Sequence, residues 1–295
     1  MISKKRPKLW VKFKPDIGVE EDEIDIETIA PNFYFLGDQE NPSLTSTYLS
    51  DTMYDGQTFV HAQYQPTTIT ANFYLRFKDW YGFRLAKHDI VRFFGRKGVY
   101  RIRTDTHRGM VRYVRTNTFD ISPAETEAKY SLFSIGFTNY CGLGYSLGTS
   151  SDLKTYDSEL WQMGMNLPNM EDIPYEFSDY DGLNTFKIYN PSDVVIDPYY
   201  QQSELKITMN VGVNSLVELD NLTTGDTYTV KTGNVSTNKI VIDGIETTIN
   251  GVASTSATNY GVITLVQGWN QFRVTSSYKP VTSIAFDFPF VYLPS

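Results

Sequence analysis

Between Asn72 and Ser122 the spacing of apolar residues shifts from alternation to a helical period and back, which constrains the fold more than any other stretch. Phe73, Leu75 and Phe77 alternate with Asn72, Tyr74, Arg76 and Lys78, the pattern of a half-buried strand. Asp79 follows where a helix N-cap belongs, its carboxylate able to accept a bond from an unpaired amide of the first turn. Trp80, Phe83, Ile90 and Phe94 recur at helical spacing and predict one apolar stripe on a helix that stops at Gly95. Val99–Arg103 and Met110–Arg115 return to alternation. They predict a β-hairpin turning across Asp105–Gly109, with arginines on one face and apolar residues on the other. The whole is a helix docked on antiparallel strands.

Ahead of this stretch, Leu9, Val11 and Phe13 alternate with lysines in a strand that Pro15 ends. From Asp16 to Glu40 there is no Lys or Arg, while Glu20, Glu21, Asp22, Glu23, Asp25 and Glu27 crowd around Ile24 and Ile26. This acidic block mirrors the basic one between Arg84 and Arg115. Either the two are solvated faces that stay apart, or they meet within a subunit or across a subunit boundary. Asn41–Gln57 reads as a loop with a turn at Asp55-Gly56, and Phe59–Tyr64 and Thr67–Phe73 as strands broken by Pro66. Tyr130–Phe137 closes the first half as another strand. Gly142, Gly144 and Gly148 are spaced one residue too widely for a dinucleotide fingerprint and no lysine follows for a P-loop, so the stretch reads as a hinge.

From Thr185 on, short strands follow one another without a helical segment: 186–190, 205–209, 215–219, 227–230, 239–242, 245–249, 262–266, 270–275 and 283–293. Turn residues separate them, explicitly at Thr224-Gly225-Asp226 and Asp243-Gly244. Such spacing predicts an antiparallel β-sandwich. The fold class is therefore mainly β, with a β-rich first domain carrying one helix and a hairpin over residues 1–140, a hinge over 141–176, and a sandwich over 177–295. At 295 residues the chain has room for two cores.

Composition removes several functions. With 26 Lys and Arg against 34 Asp and Glu, the formal charge of −8 argues against a non-specific nucleic-acid binder. Tyr (21) and Phe (18) bring aromatics to 15%, which suits sheet cores better than sugar stacking, because paired polar ligands do not accompany them. Cys141 is the single cysteine, which excludes a disulfide framework and fits a reducing compartment of synthesis. Neither a signal-peptide pattern at the N-terminus nor an apolar run of membrane-spanning length is present, so the mature chain is expected to be the whole chain, without membrane insertion. The sequons at Asn221 and Asn234 read as chance matches in this setting.

In order along the chain, Asp55-Gly56, Pro66, the Asp79–Gly95 helix and the Val99 and Val111 hairpin resemble the N-terminal belt domain of the distal tail proteins of long-tailed bacteriophages (siphoviruses). Phe186–Asn190 with Ile196-Asp197-Pro198, Val266-Gln-Gly-Trp-Asn270 with Phe272-Arg-Val274, and the closing Phe286–Tyr292 resemble the C-terminal galectin-like jelly roll of the same proteins. The resemblance implies a non-enzymatic virion protein of the tail tip or baseplate, synthesised in the host cytoplasm and assembled as a homo-hexameric ring. Its implied partners are the major tail tube protein, the tail-associated lysin or tail-fibre protein and a receptor-binding protein, with DNA passing transiently through a central channel. Glu20, Glu21, Glu23, Asp25, Arg101, Arg103, Arg112 and Arg115 are the candidate ring-interface residues.

No active site emerges. His61, His88 and His107 are scattered without a second ligand at zinc spacing, and Glu218, Asp220 and Asp226 lack the ligand density of a calcium loop. Asp152, Asp157 and Glu159 read as solvated carboxylates, and no nucleophile elbow is present. No cofactor is expected. Galectins bind sugar with a set that includes histidine, which the second half lacks. A carbohydrate-binding adhesin is the alternative reading, with Trp269, Tyr199 and Tyr200 as stacking platforms; an enzyme acting on cell-wall polymer would need two carboxylates held close together.

Overall fold

The computed structural model describes residues 6–294 apart from 51–54, 153, 155–159, 169–172, 179–184, 202–203, 214 and 279–280. Two compact units emerge, Met1–Gly144 with Leu293–Ser295, and Tyr145–Tyr292. Asp157, Glu159 and the turn read at Asp181-Gly182 lie outside the described residues.

The first unit contains β1 (Leu9–Pro15), β2 (Ile24–Asp25), β3 (Phe33–Gln39), β4 (Leu44–Ser50), β5 (Gln57–Tyr64), β6 (Thr67–Arg76), α1 (Trp80–Phe94), β7 (Gly98–Thr104), β8 (Met110–Thr116) and β9 (Tyr130–Asn139). Its main sheet runs β2-β1-β7-β8-β9-β6-β3, each strand antiparallel to its neighbour. On β6 every second residue from Thr67 to Leu75 is buried, so alternation in sequence becomes one face packed beneath α1. Asp79 caps α1 by accepting from the Gly82 amide at 2.7 Å, as its position predicts. The buried stripe is Phe83, Ala86, Ile90 and Phe94, with Phe94 against Phe73, Tyr100 and Phe137. Trp80 is not in it. At the first helical position its ring lies over Phe83 and stays more than half exposed, and Ala86 completes the stripe. Gly95 ends the helix without left-handed backbone (φ −87°); its amide bonds the Val91 carbonyl, and a Cβ there would come within 2.7 Å of that oxygen.

The loop read over Asn41–Gln57 is corrected: Leu44–Ser50 is β4, which pairs with β5 in a two-stranded sheet of its own. Nearly every residue of this hairpin is exposed on both faces, so no buried period marks it in the sequence. The expected segregation of the β7–β8 arginines holds on β7, where Arg101 and Arg103 share the face opposite Tyr100 and Ile102, although both are at least partly buried. It is corrected for Arg112, which lies opposite Ile102 on the apolar face and is buried there.

The second unit contains β10 (Gly144–Thr149), β11 (Glu176–Ser178), β12 (Thr185–Asn190), β13 (Lys206–Val211), β14 (Leu216–Asn221), β15 (Asp226–Lys231), β16 (Asn238–Asp243), β17 (Glu246–Ile249), β18 (Val252–Ala253), β19 (Gly268–Ser276), β20 (Val281–Asp287) and β21 (Pro289–Tyr292). One sheet runs β11-β20-β13-β16-β17-β18 and the other β12-β19-β14-β15. They face each other through Phe272 against Phe286 (centroids 5.0 Å), Phe186 against both, and a Tyr228–Thr247 hydroxyl bond of 2.8 Å. This is an antiparallel sandwich with an aromatic centre.

The strand read over 262–266 is instead an irregular segment with one bridge, Ile196 to Leu265. Its carbonyls are taken by the buried amides of Asn190 (to Leu265), Asn221 (to Thr264) and Asn270 (to Val266), which substitute for a neighbouring strand. Asn270 also accepts from the Val266 amide and bonds the Gly268 carbonyl, which explains the Gly-Trp-Asn turn: Gly268 supplies φ +80° and Asn270 locks it. The stretch read over Ser283–Leu293 divides at Phe288 into β20, paired with β13, and β21, paired with β10. Within the stretch read as a hinge, β10 is thus a strand, and Ser146 and Ser150 accept from the Phe290 and Phe288 amides.

Candidate assembly surface

The acidic and basic blocks of the first unit meet inside one chain. Glu23 is the centre: it accepts from Arg103 Nε at both carboxylate oxygens (3.0 and 2.9 Å) and from Nη2 at 2.5 Å, and from Arg101 at 3.0 Å. Burial pushes the Glu23 carboxyl up, but the bonds and charges of Arg103 and Arg101 outweigh it and hold the group below the ordinary carboxylate range. Around it, Asp25 pairs with Lys8 (2.5 Å), Glu20 with Lys12 (2.7 Å), Glu21 with Arg96 (2.6 Å) and Asp16 with Arg115 (3.1 Å). Arg96 sits over Phe13 and Phe93 (3.9 and 4.7 Å to the ring centroids) and Arg103 over Trp10 (4.8 Å), so the guanidinium groups also cover apolar surface. These pairs tie the segment between β1 and β2 to β1, β7 and the end of α1.

Arg112 has a separate partner, Glu40, at 2.6 Å. Both side chains are almost wholly buried, and Glu40 also accepts from Thr67 Oγ1 (2.5 Å) and Asn139 Nδ2 (3.1 Å), joining β8, β6 and β9 to the end of β3. Half-buried His107 lies nearby, its imidazole pushed below its ordinary value by burial and then by the Arg112 charge.

Of the candidate interface residues, Glu23, Arg101, Arg103 and Arg112 are therefore engaged internally and largely screened from solvent. Glu20 and Arg115 keep close to half or more of their side chains exposed while paired. Sequence reasoning did not identify Glu40, Lys8, Lys12 or Arg96 as partners, because each pairing depends on register between distant strands. Arg96 and Glu21 also flank a groove of about 390 Å³ beside the C-terminal half of α1, floored by Ile24, Ile29 and Phe93.

Three features of this unit leave apolar side chains in solvent. On β4 and β5, Leu44, Tyr48, Leu49, Phe59 and Val60 are exposed, and neither strand contains a charged residue. An uncharged exposed edge of this kind is what a solitary protein ordinarily blunts. On the outer face of α1 stand Trp80, Tyr81 and Leu85, and on the loop after β1 stand Ile17 and Val19.

In the second unit Trp269 is half exposed and lies 5.0 Å from Tyr189, while Tyr199 and Tyr200 form a T-shaped pair at a turn held by Asp197. They are two separate ring pairs. Asp220 is committed to Arg273 (2.7 Å) and Asp226 accepts from Thr224 and Thr264. Among the described residues no group of three or more His, Cys, Asp or Glu side chains is placed to hold a metal, and no helix is long and apolar enough to cross a membrane.

Residues 23–139 match the family model of the phage tail protein RIFT-related domain. None of the curated proteins compared with the chain matches it. Among solved structures the chain resembles the Dit protein of phage SPP1, described as a paradigm of the hub adsorption apparatus in phages infecting Gram-positive bacteria. The two share 11% identity over 96% of this chain and 99% of that one, with a TM-score of 0.63. Weaker likeness extends to the activated baseplate of phage P2 with Ca (10% identity, 97% and 98% covered, TM-score 0.42) and with Sr (11%, 97% and 98%, TM-score 0.41). At these identities the finding concerns fold: both units, in order, have counterparts in the SPP1 protein.

Proposed function

We propose that the chain, whose residues 23–139 match the family model of the phage tail protein RIFT-related domain, is a distal tail protein of siphovirus type, a structural hub of the tail tip that works as a hexameric ring. Its first unit is the ring-forming belt, and the second, a galectin-like sandwich, serves as a platform. The belt joins the major tail tube protein to the tail-associated lysin or fibre protein, a receptor-binding protein docks on the assembly, and the genome passes through a central channel. Its place is the virion, after synthesis in the host cytoplasm. The role is non-catalytic.

The observation that carries this reading is the near-complete coverage of the SPP1 hub protein, with the exposed, uncharged β4–β5 hairpin supporting it as a surface built for a neighbour. Light scattering of the purified full chain at moderate and high salt tests it. The expected result is the mass of six chains; the mass of one chain at every salt and concentration refutes the ring. The half-exposed Trp269–Tyr189 pair favours a second reading, glycan binding by the second unit. A glycan array without a binder, or binding unchanged by Trp269→Ala, removes it.

A further inference from the structure

The loop from Asp16 to Asp22 is a rigid tip rather than a slack connection. Asp16 bonds the Lys97 carbonyl through its amide and Arg115 through its carboxylate, Glu20 pairs with Lys12, and Glu21 is held by Arg96 and by a backbone bond to Phe13. Between these anchors Ile17 and Val19 are 95% and 86% exposed, two aliphatic side chains rimmed by carboxylates. Fixing apolar residues in water has no benefit to the isolated chain.

The outer face of α1 has the opposite character. Tyr81 (83% exposed) and Leu85 (63%) lie one turn apart, with exposed Trp80 beside them and exposed Arg84 and His88 alongside. Lys78 and Arg84 are the exposed cations around this half of the helix, Lys87 being paired with Asp120 and Arg96 with Glu21. Apolar centre matches apolar centre, and acidic rim matches basic rim.

We propose that the Asp16–Asp22 loop of one copy docks on the N-terminal half of α1 of a second copy, an inference that rests on the ring reading above. The two surfaces cannot meet within a chain. Glu21 is anchored to Arg96, past the C-terminal end of α1, and at a rise of about 1.5 Å per residue Tyr81 lies roughly 22 Å away along the helix. A contact between two different surfaces of identical chains is head-to-tail, the type that closes into rings.

The test uses two full-chain variants, Ile17→Lys with Val19→Lys, and Tyr81→Glu with Leu85→Glu, checked for folding by circular dichroism. All four side chains are exposed, so the fold is expected to be kept. Light scattering should drop from the mass of six chains to that of one for each variant alone. Mixed in equal amounts they should reach twice the mass of one chain and stop, since each retains one good surface. Should a glutamate variant fold poorly, Leu85→Ala replaces it, with the concentration needed for assembly rising about tenfold. Rings that persist in both variants overturn this interface and leave the ring standing. A parent chain that is a monomer at every concentration overturns both. A mixture that stays monomeric shows that the surfaces do not complement one another and also overturns the inference.

Discussion

Replacing Glu40 by Gln is the sharpest probe of the first unit. Gln keeps the volume and the acceptor that serves Thr67 and Asn139, and replaces the oxygen that faces Arg112 at 2.6 Å with an uncharged amide donor. Glu40 and Arg112 side chains are 1% and 5% exposed, so water cannot replace the lost carboxylate. Leaving a buried charge unpaired costs about 3–5 kcal/mol. In a unit of this size that lowers the melting temperature on the order of 10 °C. Because the two units need not unfold together, calorimetry should be read for a shift in one transition, with amide exchange in β8 and β9 identifying which. The companion variant Arg112→Met with Glu40→Gln removes both charges. Arg112 Nη1 is buried without a hydrogen bond, so the native pair does not fully recover its desolvation, and the double variant should return to within about 1–2 kcal/mol of the parent. If Glu40→Gln alone melts within about 0.5 kcal/mol of the parent, the guanidinium does not depend on that carboxylate and the reasoning fails.

Other outcomes follow from single contacts. Glu23 has a depressed folded pKa, so its stabilisation is complete above its unfolded value of about 4.3 and is lost as pH falls through the folded value. The stability gap between the parent and Glu23→Gln should therefore be flat from about pH 8 to pH 5 and close below about pH 4; a gap that widens in acid would reverse the assignment. Gly142 has φ +68° and a Cβ there would lie 2.1 Å from the Gln65 carbonyl oxygen, so Gly142→Ala should cost roughly 3 kcal/mol or more in denaturant unfolding. Asp79→Ala removes the α1 cap and should cost about 1 kcal/mol, with helical signal lost first at the end that holds Trp80.

What the sequence disclosed depended on whether a residue faced a core. Strands such as β1, β6, β9, β12 and β19 alternate because one side is buried, and their positions were legible to within a few residues. Neither face of the β4–β5 hairpin is covered in this way; β5 was legible only as the short run Phe59–Tyr64, and β4 left no trace. A signal was available at Asn250-Gly251, where φ values of 53° and 78° form the tight turn between β17 and β18 that this dipeptide favours. The irregular 262–266 segment was apolar enough to imitate a strand, and only its three asparagine partners, distant in sequence, tell it apart.

The candidate site was half legible for a related reason. Opposite charge blocks are visible in composition, but which carboxylate faces which guanidinium is set by the β1–β7 register, Trp10 opposite Arg103 and Lys12 opposite Arg101. That pairing changes what the basic block can do. Arg101, Arg103 and Arg112 are each met by a carboxylate inside the chain, so the hairpin brings little net positive charge to any neighbour or polyanion. In the proposed ring, a chain with a formal charge of −8 would line its surroundings with net negative charge. Arg84 and Arg92 stand exposed on α1, with Lys78 just before it and Lys97 just after it, and in the proposed ring an acidic loop of the same chain type is a chemical match for them.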